Sequence, residues 1–90
     1  MGSSSRELKI FSGTAHPEFA RRICAELGVG LSRAKHYRFS DGELGLSIEE
    51  SVRGADVFVV QPTCNPVNEH LMQLFIMLDA LKRASAYRIN

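Results

Sequence analysis

The sequence predicts an α/β fold in which a partly parallel sheet carries a β-hairpin appendage and two helices. Three observations predict it. Segments alternate as strand, helix, hairpin, strand, helix, strand. Val57-Phe58-Val59-Val60 is a continuous apolar run with β-branched residues, the pattern of a central strand covered on both faces. Asp41-Gly42 lies between two strand-like stretches and suits a two-residue hairpin turn.

Each element follows from its own residues. Leu8-Lys9-Ile10-Phe11-Ser12 is a short apolar run that Gly13 ends, a first strand entering a loop. Pro17 fits the first position of a helix, Phe19, Ile23 and Leu27 repeat at four-residue spacing as its apolar stripe, and Gly28 stops it. Gly28-Val29-Gly30 is read as a cap and turn, being too short and too badly placed for a dinucleotide fingerprint. A two-residue turn at Asp41-Gly42 sets Phe39 opposite Leu44, Tyr37 opposite Leu46 and Lys35 opposite Ile48. Asn65-Pro66 supplies a cap and first position for a second helix running to about Ala84.

That second helix carries the strongest signal about size. From Leu71 to Leu81 nine of eleven residues are apolar, so both sides of the helix need cover. A chain of 90 residues with one short partner helix can hardly provide it. Tyr87-Arg88-Ile89-Asn90 then reads as the opening of a further strand. The expectation is a flexible amino terminus over residues 1–7 and, over residues 8–90, the front half of a larger domain truncated at its carboxyl end.

Composition narrows the function. With 44% hydrophobic residues, 23% charged and a formal net charge of +1, the chain has no bulk attraction for nucleic acid or membranes, though a small anion is a suitable ligand. Cys24 and Cys64 stand forty positions apart, without zinc-site spacing, and are expected to be reduced, inert thiols. The start has no apolar stretch for a signal peptide, which favours the cytoplasm. His16, His36 and His70 lack ligands one helical turn away and are read as surface or capping residues. Ser12 and Thr63 have no local base, and neither a Gly-x-Ser-x-Gly elbow nor a Walker loop occurs.

Three separated motifs agree in order and spacing: Phe39-Ser40-Asp41-Gly42-Glu43 running on to Ser51-Val52-Arg53-Gly54, Pro66-Val67-Asn68-Glu69-His70-Leu71-Met72, and Leu81-Lys82-Arg83-Ala84-Ser85-Ala86. Together they resemble the amino-terminal region of the ribose-phosphate pyrophosphokinase (PRPP synthetase) family, over nearly all of residues 8–90. The resemblance implies an incomplete phosphoribosyltransferase-like domain from an enzyme that uses Mg2+ and ATP to move a diphosphoryl group onto ribose 5-phosphate, giving phosphoribosyl diphosphate and AMP. It implies that Phe39, Asp41 and Glu43 contact the adenine of ATP in a neighbouring subunit, and that Ser51, Arg53, Ala84 and Ser85 belong to a regulatory site for phosphate or ADP. It further implies a homo-oligomer resembling the family's hexamers, with no catalytic residue and no Mg2+ ligand inside this window, so that these residues alone are expected to be inactive. From the residues alone, Asp41-Gly42 simply turns the chain, Phe39 fills the core, and Ser51 to Gly54 is an exposed turn. Two rival readings are a non-catalytic protein of the same fold that modulates the enzyme, and a freestanding α/β binding module.

Overall fold

The computed structural model describes residues 7–90, and its sheet is built on the two apolar runs of the sequence. β1 (Leu8–Ser12) and β4 (Asp56–Val60) pair in parallel, with Ile10 opposite Phe58 and Phe11 opposite Val59. The short β5 (Arg88–Ile89) pairs in parallel with the other edge of β4, giving the order β1-β4-β5. A separate antiparallel pair, β2 (Ala34–Arg38) and β3 (Leu44–Ile48), makes the hairpin. The helices are α1 (Pro17–Leu27) and α2 (Val67–Arg83). The expected α/β class, the hairpin and the two helices are therefore all present. Of the amino terminus expected to be flexible, residues 1–6 lie outside the described residues, whereas the carbonyl of Glu7 accepts a hydrogen bond from Asp56 N at 2.9 Å.

Side chains alternate across the sheet, and one face makes the core. Phe11, Val57 and Leu81 are fully buried together with Val52 and Ala55 from the turn that precedes β4. α2 covers this face with a stripe at His70, Gln73, Met77 and Leu81, all buried. Its other side leaves Met72 and Phe75 exposed, as the encircling apolar pattern requires of a helix covered from one direction only.

The opposite sheet face departs from expectation. α1 packs with Ala20 and Cys24 inward, while Phe19 and Leu27 of the expected stripe are exposed. Phe58 on β4 is likewise 43% exposed, so the central strand is covered on one face rather than both. An apolar groove runs between Ile23 and Leu27 of α1 and Phe58 and Val60 of β4. A strand buried on two faces and a strand awaiting cover have the same letters.

Both ends of α1 obey cap chemistry. His16 Nδ1 accepts from Phe19 N at 3.2 Å, making it the cap of α1. Gly28 is left-handed at φ 71°, with its N–H on Ala25 O and Val29 N on Cys24 O, a Schellman ending. At α2 the cap position is Pro66, not Asn65, and no side chain caps it. Both cysteines are free; burial of Cys24 raises its pKa and keeps that thiol protonated.

The carboxyl ends of β1 and β4 are tied by two glutamines. Gln61 Nε2 donates to Gln73 Oε1 at 2.6 Å and to His70 O at 3.3 Å, while Gln61 Oε1 accepts from Ala15 N at 3.1 Å. Gln73 Oε1 also accepts from Thr14 N and Thr14 Oγ1 at 2.8 and 3.0 Å. Gly13 lies against this network, and a Cβ there would stand 2.1 Å from Gln61 Oε1. Gly13→Ala must displace a side chain held at both of its ends, so it should lower stability by about 1 to 3 kcal/mol. Urea unfolding of the native protein measures this, and an unchanged midpoint would contradict the packing described.

Candidate functional site

The hairpin tip is built differently from a two-residue Asp-Gly turn. Phe39 N donates to Glu43 O at 2.7 Å and Gly42 N donates to Phe39 O at 2.9 Å, so the loop has three residues, Ser40 to Gly42. Gly42 takes the left-handed position at φ 91°, the arrangement of a type I turn closed by a glycine bulge. Asp41 Oδ1 accepts from Glu43 N at 3.0 Å and holds the turn. The ladder accordingly pairs Arg38 with Leu44, Tyr37 with Gly45 and His36 with Leu46, one residue away from the expected register.

That slip of one residue exchanges the two faces of the hairpin. Leu44, Leu46 and Ile48 now share the inner face with Ala34, His36 and Arg38, and Ile48 and Ala34 pack on the core. Tyr37 and Phe39 share the outer face. Phe39 is 50% exposed, and its ring meets that of Tyr37 edge-on at 5.2 Å and 81°. Tyr37 in turn lies over Gly45, where a Cβ would fall 2.3 Å from the ring. Phe39, Asp41 and Glu43 are thus brought together at an exposed tip, with Phe39 outside the core.

The hairpin joins no larger sheet and is pinned by side chains. At its base Glu50 receives Lys9 Nζ at 2.5 Å and Arg33 N at 2.7 Å. At mid-height His36 Nε2 donates to Ser12 O at 3.0 Å. At the tip Arg38 pairs with Glu69 at the start of α2 and donates to Gly42 O at 2.7 Å. Sequence reading missed Arg38 and Glu69; the signal was Leu44, Leu46 and Ile48 at period two, which fixes the inner face and places Arg38 on it.

The second group of residues forms two abutting turns. Val52 and Ala55 are buried, while Ser51 just before them and Arg53 between them are exposed. Gly54 N donates to Ser85 O at 2.9 Å, joining this turn to the end of α2. There Ser85 N bonds Lys82 O and Ala86 N bonds Leu81 O, the same Schellman pattern as at Gly28. Ser85, however, holds the left-handed position itself at φ 67°, the one non-glycine residue to do so among those described. Ala84 packs under it on the core. The Ser51 to Gly54 turn and the Ala84-Ser85 ending are joined through the backbone bond from Gly54 to Ser85, and Ser51, Arg53 and Ser85 are all exposed; hydroxyls and a guanidinium are groups that suit an oxyanion. Among the described residues no three of His, Cys, Asp and Glu converge as metal ligands.

Residues 8–90 match the family model described as the N-terminal domain of ribose phosphate pyrophosphokinase. The chain belongs to that family. It is 61% identical over 85 residues to a ribose-phosphate pyrophosphokinase of Wolinella succinogenes, covering 94% of this chain and 28% of the relative. A chloroplastic ribose-phosphate pyrophosphokinase 2 of Oryza sativa is 58% identical, covering 99% of this chain and 22% of the relative. The crystal structure of phosphoribosylpyrophosphate synthetase from Mycobacterium smegmatis superposes with a TM-score of 0.89 at 45% identity, covering 93% of this chain and 28% of that one. The sequence thus spans between 22% and 28% of the length of these relatives. No helix among the described residues is long and apolar enough to cross a membrane.

Two predictions follow the geometry of these turns and anchors. Ser85→Gly relieves a left-handed serine and should raise stability by about 1 kcal/mol, read as a higher midpoint in urea. Burial opposes ionisation of Glu50, but the hydrogen bonds from Lys9 and the Arg33 amide outweigh it and hold the carboxyl below its usual 4.5. The hydrogen bond to Glu50 is the main cause that holds the Lys9 ammonium above its usual 10.5. The pair therefore stabilises the fold between those two values; Glu50's share is lost as pH falls through its lowered pKa, and Lys9's as pH rises through its raised one. Glu50→Gln should flatten the acid limb of stability against pH, and an unaltered limb would remove Glu50 as its source.

Proposed function

We propose that the protein is a ribose-phosphate diphosphokinase, transferring the diphosphoryl group of ATP to ribose 5-phosphate to give phosphoribosyl diphosphate and AMP. On this reading residues 8–90 are the front half of its amino-terminal phosphoribosyltransferase-like domain. They supply an adenine-contacting hairpin and an assembly surface. The observation that carries the reading is the tip itself, with an exposed Phe39 ring braced by Tyr37 beside the carboxylates of Asp41 and Glu43. An aromatic face stacks on a purine, and a carboxylate or carbonyl accepts from the exocyclic amine of adenine where it would repel the carbonyl of guanine.

The paired turns at Ser51, Arg53, Ala84 and Ser85 are proposed to bind phosphate or ADP as an effector. A strained serine backbone beside an exposed arginine supports this, since such strain persists where function retains it. The exposed apolar residues Val67, Met72 and Phe75 on α2 support assembly into a homo-oligomer, proposed as a hexamer; a cytoplasmic location is part of the same proposal. Mg2+, the metal that this chemistry takes, is proposed to be held by groups outside residues 8–90, and no step is assigned to these side chains. Transfer of this kind depends on metal and cationic groups positioned around the phosphates, and residues 8–90 alone are accordingly proposed to be inactive.

The test is AMP release from ATP and ribose 5-phosphate by the protein expressed from its native gene. Activity is expected, and Phe39→Ala should raise the KM for ATP roughly ten-fold, as loss of one base-stacking contact predicts. No AMP release from the unaltered protein would overturn the reading.

A further inference from the structure

Between the hairpin and α2 lies a cleft walled by Arg38, Leu44, Glu69, Met72 and Ile76. Arg38 spans it. Its Nη1 donates to Gly42 O at 2.7 Å, inside the turn, and its Nη2 pairs with the Glu69 carboxylate on the first turn of α2. One planar guanidinium thereby holds the left-handed residue of the turn against the body of the domain, a geometry that uses both arms of the fork.

The position of this contact gives it its importance. The strand ladder ends at Arg38 and Leu44, so Phe39, Asp41 and Glu43 all lie beyond it, in the three-residue turn and the pair that closes it. A two-stranded ribbon is marginal in water unless it packs on something, and this one is tied to the body at Glu50, at His36 and at Arg38. The first two anchor its base and middle. Arg38 alone of the three also grips the turn.

We propose that Arg38, through Gly42 and Glu69, is a positioning residue that fixes the angle at which the tip meets the base of the nucleotide. The inference rests on the adenine-contacting reading of the tip. Arg38 and Glu69 are half-exposed, and an ion pair of that kind contributes little to global stability. Its removal loosens the tip while leaving the fold intact. A tip free to rock offers Phe39 over a spread of orientations, so binding of the base weakens and handling of ribose 5-phosphate is spared.

The experiment compares variants of the native protein by KM for each substrate, together with thermal midpoints. Arg38→Met, which keeps the apolar stem, should raise the KM for ATP about five-fold, with a much smaller change for ribose 5-phosphate. Arg38→Lys should recover only part of this, because a point charge cannot serve both acceptors in the same geometry. If Arg38→Met does not fold, Glu69→Ala removes the acceptor of Nη2 and should raise the KM for ATP in the same selective way, and an unchanged KM for ATP there overturns the proposal. A normal KM for ATP in Arg38→Met, when Phe39→Ala raises it, overturns the positioning role and leaves the adenine reading standing. A normal KM in Phe39→Ala removes the adenine reading and this inference with it. Equal rises for both substrates, or a lowered midpoint that accounts for the loss, would make Arg38 a structural residue and overturn the proposal.

Discussion

The fold depends on burying Val52 and Ala55 in the same core as Phe11, Val57 and Leu81. These five side chains join the first strand, the central strand, the long helix and a turn that would otherwise be a surface loop. Because Val52 and Ala55 point inward, Ser51 and Arg53 have to point out. Apolar packing therefore sets the direction of two polar groups that make no part of the core. A buried turn is costly unless its backbone is satisfied, and here Gly54 N and Ala55 N both find carbonyl partners, at Ser85 and Val52. The candidate effector surface is in this sense a by-product of how the core is closed.

Much of this was legible in the letters. The strand runs, Pro17 at the head of α1, Gly28 at its tail and the excess apolar surface of α2 each rest on short-range chemistry that acts the same way in any context. What escaped was set by relations between elements. The hairpin register follows from a three-residue loop, and Asp41-Gly42 is compatible with two loop lengths; only the alternation of Leu44, Leu46 and Ile48 against the core selects one. The exposed faces of α1 and β4 escaped for a similar reason. An apolar residue records that cover is wanted, without recording whether the described residues provide it. The bond from Gly54 to Ser85 joins two turns some thirty positions apart, a relation that single-sequence periodicity does not reveal.

Polar side chains do the joining where backbone ladders stop. Glu50, His36 and Arg38 fasten the hairpin; Gln61 and Gln73 fasten the first loop to the long helix. Each is a directional contact, unlike the core. No buried side-chain nitrogen or oxygen among the described residues lacks a partner. Such completeness fits a network whose task is to specify one arrangement.

α2 links these regions through its length. Glu69 in its first turn holds the hairpin tip, and Ser85 just beyond its last turn abuts the Arg53 loop. Seventeen helical residues span roughly 25 Å at 1.5 Å per residue, with no kink-forming proline or glycine among them. The spacing and angular phase of the two surfaces are consequently dictated by a count of residues. Removing a single one would draw them together by about 1.5 Å and rotate one relative to the other by about 100°. Residues on the faces of this rod can thus be substituted in evolution, but its residue count can hardly be changed by insertion or deletion.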